Sequence, residues 1–209
     1  MKRPLFIIAS ALILSACGSA PTIDAPSPGP AGASNFIPNN NAASGGLFLR
    51  DSVIYSQKDA RWASDKLGTT SDTMGSDGCL VTATSMALTN LGFQTNPKDL
   101  NQRLTMTKSY TSKGWLIWDG IRRVTDGRAV ATYYDKVDAP TIDGCLREGE
   151  YPMVQFYLPN GRSHWAMIVK HDARGYHMRD PLRISEKPLI FPAGVNGYRA
   201  LRCIGLAKA

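Results

Sequence analysis

The chain has 209 residues, of which 43% are hydrophobic and 20% are charged, and its formal net charge is +7. A disordered chain would hold fewer apolar residues, and a small disulfide-rich protein would hold more than four cysteines, so this composition indicates a globular protein. The basic residues are scattered, without runs or interleaved aromatic residues, and they do not indicate nucleic-acid binding. With three histidines and no CxxC pair, the chain fits no common zinc-site pattern, and we expect neither a metal nor another cofactor.

The first 16 residues have the pattern of an export signal. A basic start precedes an apolar run from Leu5 to Leu14, which at ten residues is about half the length that crosses a bilayer. The following Ser-Ala-Cys-Gly resembles the end of a bacterial lipoprotein signal, which implies cleavage before Cys17 and attachment of lipid to it. Several acyl chains would anchor the protein stably. The alternative is a plain secretory signal with an incidental cysteine.

The residue after Cys17 indicates the membrane to which a lipoprotein of this kind is exported. In lipoproteins of Gram-negative bacteria, a residue other than Asp at this position generally leads to the outer membrane, and Gly18 fits that pattern. We therefore expect a lipid-anchored protein of the bacterial cell envelope, on the outer membrane and facing the periplasm.

A flexible tether follows the anchor. Of the 29 residues from Gly18 to Gly46, 24 are Gly, Ser, Ala, Pro or Asn, so the segment cannot bury enough apolar surface to fold. The packed chain is expected to begin near Leu47 or Asp51, and we place the tether at residues 17–50 and a single domain at residues 51–209.

Within the domain, four helices and five strands are predicted. Apolar residues recur at helical spacing from Cys79 to Leu91, and Gly92 ends that helix. The other helices are predicted from the N-cap and proline at Asn96-Pro97, over Leu116 to Val124, and over Thr141 to Glu148. The predicted strands are Ala129 to Tyr134, Tyr151 to Leu158, His164 to Lys170, Tyr176 to Arg179 and Tyr198 to Leu206. Helices followed by a meandering antiparallel sheet indicate an α+β fold.

Cys79 is a candidate nucleophile because it lies in the first turn of the strongest helix. The positive end of the helix dipole favours the thiolate, and the free N–H groups there can donate to an oxyanion. Gly78 lets a substrate approach the backbone closely. The alternative is a buried cysteine that packs as a small hydrophobic residue.

His164 and Asp180 are the candidate base and its orienting carboxylate. His164 opens an apolar strand, and a hairpin around the turn at residues 172–175 returns the chain to the same level 16 residues later, at Asp180. A carboxylate there can fix the imidazole tautomer and stabilise the imidazolium. Asp180-Pro181 is alternatively a turn that only ends the strand.

Several motifs in this order resemble the peptidase C39-like family of papain-like cysteine peptidases. The motifs are Gln57-Lys58-Asp59-Ala60-Arg61-Trp62, Gly78-Cys79 with Thr84-Ser85-Met86-Ala87, Gly114-Trp115, and His164 with Asp180-Pro181. The resemblance covers about Val53 to Pro181. It implies a papain-like fold, with N-terminal helices packed on a C-terminal antiparallel sheet, and it implies the roles of nucleophile for Cys79, base for His164, orienting residue for Asp180 and oxyanion donor for Gln57.

The implied activity is cleavage of a peptide or related amide bond through a thioester. Leu80 departs from the Gly or Pro that often follows the nucleophile in the family. A murein amidase or endopeptidase of the NlpC/P60 type is a second reading, although its Asp-Cys-Ser-Gly motif is missing here. A third is an inactive, tethered assembly or adhesion lipoprotein. Cys145 and Cys203 remain as a disulfide or as two buried thiols.

Overall fold

The computed structural model describes residues 46–191 and 194–208. The predicted signal, the lipidation site Cys17 and nearly all of the tether lie outside these residues. In the described part, no helix is both long and apolar enough to cross a membrane. The helices are α1 (Met74–Asp77), α2 (Cys79–Asn90), α3 (Pro97–Met106), α4 (Asp119–Val124) and α5 (Ala139–Arg147). The strands are β1 (Leu47–Phe48), β2 (Ala129–Tyr134), β3 (Tyr151–Tyr157), β4 (Ser163–Asp172), β5 (Gly175–Arg179), β6 (Leu189–Ile190) and β7 (Ala200–Leu206).

The strands form one antiparallel sheet of seven strands within the described residues. Their order is β2-β7-β3-β4-β5-β6, and β1 pairs with β4 outside this path. The expected meander is therefore correct from β3 to β5, and β6 extends it with a strand that the sequence did not predict, but β7 returns to lie between β2 and β3. Helix α5 separates β2 from β3 along the chain, which leaves room for β7 between them.

Helix α2 packs against β4 and is almost completely enclosed. Ten of its twelve residues are buried, including Thr82, Thr84 and Ser85. Ser85 donates to the carbonyl of Thr82 in its own helix at 2.8 Å, whereas the buried hydroxyls of Thr82 and Thr84 have no hydrogen-bond partner in the described residues. The sequence prediction of this helix is correct at its start, and Leu91 is its C-cap.

Two other helices begin at different residues from those predicted. Helix α5 begins at Ala139 rather than Thr141, because the side chain of Asp138 accepts from the backbone N–H of Thr141 and forms the N-cap. Helix α4 begins at Asp119 rather than Leu116, because Leu116 pairs with Tyr110 in an isolated antiparallel bridge.

The packed chain begins before Asp51. Leu47 and Phe48 pair with β4, and Leu49 is buried in the core. The carboxylate of Asp51 accepts hydrogen bonds from two guanidinium nitrogens of Arg179, at 2.7 and 2.8 Å, which connect this segment to the end of β5. Residues 47–50, which the predicted boundary assigned to the tether, are therefore part of the fold.

Candidate active site

Two helices meet at Gly78 and place Cys79 at the start of α2. The short helix α1 begins with a capping box between Thr73 and Ser76, and Gly78 serves as both its C-cap and the N-cap of α2. A Cβ on Gly78 would lie 2.4 Å from the carbonyl oxygen of Met74, so only glycine fits at this junction. Cys79 is consequently held at the positive end of a twelve-residue helix.

His164 lies at the second position of β4, beside Cys79. Its Nε2 is 2.6 Å from Oδ1 of Asp180, and its ring lies close enough to Cys79 to interact with that side chain. Because Nε2 is used by the carboxylate, Nδ1 is the ring nitrogen left for the sulfur. Phe156 packs its ring edge-to-face with the imidazole, with centroids 5.3 Å apart, and limits its rotation.

The environment of His164 raises its pKa to about 9. Burial by itself lowers this pKa, but the hydrogen bonds to Asp180 and Cys79, together with the negative charges of those groups, outweigh the effect of burial. The imidazole is therefore protonated at neutral pH.

Asp180 is buried where β5 ends, and the structure gives its carboxylate several donors. Oδ1 accepts from His164 and from the backbone N–H of Leu182 at 2.9 Å, and Oδ2 is 3.2 Å from Nε of Arg183. Burial raises the pKa of Asp180, but His164, the Leu182 N–H and Arg183 lower it overall. The hairpin of β4 and β5 thus returns Asp180 to His164, as the spacing predicts.

Gln57 lines the same cleft as Cys79 and His164. Its Nε2 donates to the carbonyl of Gly75 at 3.1 Å, and its buried Oε1 has no hydrogen-bond partner in the described residues. The backbone N–H of Gln57 donates to the carbonyl of Pro181, next to Asp180. One of the two amide hydrogens is used by Gly75, so the other is left to donate into the cleft.

Three of these side chains, Cys79, His164 and Gln57, line a cleft of about 800 Å³, and Asp180 is not among its lining residues. One group of lining residues is apolar and aromatic, and the sequence patterns pointed to Leu80 and Trp115 but did not identify its other members as part of the site. It includes Leu80, Trp115, Leu116, Trp118 and Trp165. The large side chain of Leu80 lies in this cleft, directly after Cys79.

An ion pair that the sequence patterns also missed joins two segments of the cleft. Nη2 of Arg162 lies 2.8 Å from Oδ1 of Asp77 and 3.1 Å from the carbonyl oxygen of Ser76. Asp77 comes two residues before Cys79, and Arg162 comes two residues before His164. These equal spacings are visible in the sequence, but they indicate an ion pair only when the structure shows that the two segments are in contact.

Cys145 and Cys203 are joined by a disulfide, with their Cα atoms 6.1 Å apart. The bond links α5 to β7, and Cys79 is the free cysteine of the described residues. In the described part of the chain, one group of three possible metal ligands occurs, formed by Cys145, Cys203 and the buried Glu150. Its two sulfurs are bonded to each other, so this group is not a metal site while the disulfide is intact.

Comparison with known proteins adds information on the fold. No protein-family model matches the sequence, and no curated protein is significantly similar to it. A crystal structure of a protein from Bacillus anthracis, described as a C39-like peptidase, matches with a TM-score of 0.51 at 13% sequence identity. The match covers 78% of this chain and 98% of that chain. The chain therefore shares its mixed fold of helices and antiparallel sheet with a C39-like peptidase structure.

Proposed function

We propose that the chain is a cysteine peptidase with a papain-like fold, which cleaves a peptide or related amide bond. The observation that carries this proposal is the alignment of Cys79 at the start of α2 with His164 on β4 and Asp180 after β5. The imidazole is protonated and in contact with the free sulfur, which is the ground state that a thiolate nucleophile requires.

In the proposed mechanism, the thiolate of Cys79 attacks the carbonyl carbon and forms a C–S bond. Backbone N–H groups at the start of α2 and the amide of Gln57 donate to the oxyanion. His164 gives its proton to the leaving amine as the C–N bond breaks. Neutral His164 then takes a proton from water, which attacks the thioester; the C–S bond breaks, releasing the acid and restoring the thiolate of Cys79. Asp180 keeps the imidazole oriented and stabilises its charged form throughout.

The cellular setting remains part of the proposal. We propose that lipid on Cys17 anchors the protein in the outer membrane, with the domain facing the periplasm. An oxidising periplasm is compatible with the disulfide between Cys145 and Cys203. Mass spectrometry of the N-terminal peptide from the membrane fraction tests the anchor. The expected result is an acylated N-terminus at Cys17, and an unmodified peptide would contradict it.

Alkylation and cleavage together test the proposed activity. The purified chain is treated with iodoacetamide at neutral pH, the adduct is located by mass spectrometry, and unfolded protein is offered as substrate in parallel. We expect rapid labelling of Cys79, slow labelling in His164→Ala, and cleavage that is abolished in Cys79→Ala. Labelling that is equally slow with and without His164, together with no cleavage, would contradict the proposal.

A further inference from the structure

The cleft beside Cys79 contains most of the tryptophan of this protein. The chain has four tryptophans, and three of them, Trp115, Trp118 and Trp165, line the cleft with Cys79 and His164. The fourth, Trp62, is buried in the core. We name the three cleft residues the tryptophan wall.

Two members of the tryptophan wall, Trp118 and Trp165, are half-buried and packed together, and the third, Trp115, is open to solvent. Trp118 and Trp165 pack edge-to-face with ring centroids 5.3 Å apart, and the guanidinium of Arg202 lies 5.3 Å from the centroid of Trp118. Trp115 is 66% exposed, and Nζ of Lys113 lies 5.3 Å from its ring centroid. Exposed aromatic surface of this extent costs free energy in the free protein, and that cost is recovered when an apolar group covers it.

Resting on the proposed peptidase function, we propose that the tryptophan wall is a substrate subsite for a large apolar or aromatic side chain. The substrate is then a polypeptide that exposes such a side chain near the scissile bond, as an unfolded or extended protein segment does. Leu80 and Leu116 add aliphatic surface to the same cleft. A murein stem peptide, with small and acidic side chains, would leave this surface uncovered.

The test measures binding without catalysis, so that it is independent of the proposed function. The Cys79→Ala chain is titrated with fluorescein-labelled alanine-based peptides that carry a single Phe or a single Glu at each position in turn. At one position, we expect Phe to bind about tenfold or more tightly than Glu, as burial of an aromatic side chain requires. Trp115→Ala in the same background should reduce that preference, and Trp115→Phe should largely keep it.

Tyr157→Ala is the matched control, because Tyr157 is also an exposed aromatic residue and is not among the residues that line the cleft. Equal binding of the two peptide series, or an unchanged preference in Trp115→Ala, would overturn the subsite. Binding of purified murein, with no preference among the peptides, would overturn the polypeptide substrate. A clear preference for Phe without cleavage by the wild-type chain would reject the peptidase function and leave the subsite standing.

The ion pair of Arg162 and Asp77 joins the two segments that hold Cys79 and His164, and it supports a second, independent inference. We infer that this pair is a positioning device, which sets the distance between the segment of Cys79 and the segment of His164. Arg162 also donates to the carbonyl of Ser76, so one guanidinium holds both a backbone carbonyl of α1 and the side chain of Asp77, the last residue of that helix. The backbone of Arg162 is also held, because its carbonyl accepts a hydrogen bond from the N–H of Leu158 and closes a turn.

The ion pair contributes little to the stability of the fold, but it lies next to the two proposed reacting groups, whose relative position affects the rate. Its side chains are 56% and 43% exposed, and exposed ion pairs of this kind stabilise folded proteins only weakly. A small displacement of a reacting group can nevertheless slow a reaction strongly. The inference therefore predicts a loss of rate that is much larger than the loss of stability.

Kinetics of Arg162→Met, Asp77→Asn and the double variant test this inference. We expect each single variant to lower kcat and the rate of alkylation of Cys79 by about tenfold, with a melting temperature within about 3 °C of the wild type. The double variant should lose no more than either single one, because the two residues act together. Arg162→Lys should recover part of the rate.

The matched control is Arg123→Met, which breaks the exposed pair of Arg123 and Asp119 on α4, with an N–O distance of 3.0 Å. We expect this change to leave both rates unaltered. Additive losses in the double variant, or single variants with wild-type alkylation rates, would overturn the positioning role. Measuring alkylation separately keeps this result distinct from a failure to find a cleavable substrate.

Discussion

The charge on His164 depends on the residues around it more than on the imidazole itself. A buried imidazole without partners would be neutral at pH 7, but Asp180 and Cys79 together raise its pKa to about 9. In the proposed mechanism, His164 therefore holds a proton for the leaving amine before substrate arrives. This proton is also what makes the proposed mechanism sensitive to alkaline pH.

We expect cleavage to fall as the pH rises through about 9, because neutral His164 cannot protonate the leaving amine. Asp180→Asn removes a negative charge that raises this pKa, so the alkaline limb should move to lower pH. The measurement is kcat/KM against pH for both proteins. An alkaline limb at the same pH in Asp180→Asn would contradict the role given to the carboxylate.

Gln57 is fixed by two hydrogen bonds, and its removal should affect chemistry more than folding. Gln57→Ala removes the proposed oxyanion donor, and loss of such a donor typically lowers kcat by a factor of about 100 to 1,000. We expect KM for a peptide substrate to change little, because the donor acts mainly in the transition state. A variant with normal kcat would show that the side-chain amide of Gln57 has only a structural role, through its hydrogen bond to the carbonyl of Gly75.

At the scale of elements, the position of Cys79 depends on the junction between α1 and α2. The sequence predicts α2 well, because its apolar residues follow helical spacing and Gly92 stops it. It does not predict α1, since Met74-Gly75-Ser76-Asp77 is too short for periodicity to be visible. The requirement for glycine at residue 78 is also invisible in the sequence, because it arises from the backbone of Met74 in the preceding helix.

Gly78→Ala should destabilise the protein by about 1–3 kcal/mol and slow the alkylation of Cys79, because its Cβ would meet the backbone of Met74 at 2.4 Å. Gly144→Ala is the control. Residue 144 lies inside α5, and a Cβ there meets nothing within 4 Å, so alanine should be neutral or stabilise the helix slightly. Urea unfolding measures both variants, and equal stabilities would show that the junction can relax.

At the scale of the whole molecule, local patterns predict the strands but not their arrangement. The β4–β5 hairpin can be read from the sequence because its partners are neighbours along the chain, and this is why His164 and Asp180 could be paired. The insertion of β7 between β2 and β3 depends on contacts between residues far apart in the chain, such as Thr132 with Cys203. The lining of the cleft by Trp118 and Trp165 likewise depends on packing between α4 and the sheet, which no short motif encodes.

The disulfide between Cys145 and Cys203 closes a loop across that arrangement, from α5 to β7, with a sequence separation of 58. Closing a loop of this length restricts the unfolded chain and stabilises the folded protein by roughly 4 kcal/mol. Replacing both cysteines with alanine should lower the free energy of unfolding in urea by about 2–5 kcal/mol. Alanine is the suitable replacement because both positions are buried, and a serine hydroxyl there would lack partners.

The chemistry of Cys79 should survive this change, because neither disulfide cysteine is among the residues that line the cleft. In the absence of urea, we expect iodoacetamide to alkylate Cys79 of the double variant at a rate close to that of the wild type. Adding a reductant should destabilise the wild type and leave the double variant unaffected, which separates the bond from the loss of two sulfur atoms. If the double variant unfolds at the same urea concentration as the wild type, the fold is held by the packing of α5 on β3 and β4 rather than by the bond.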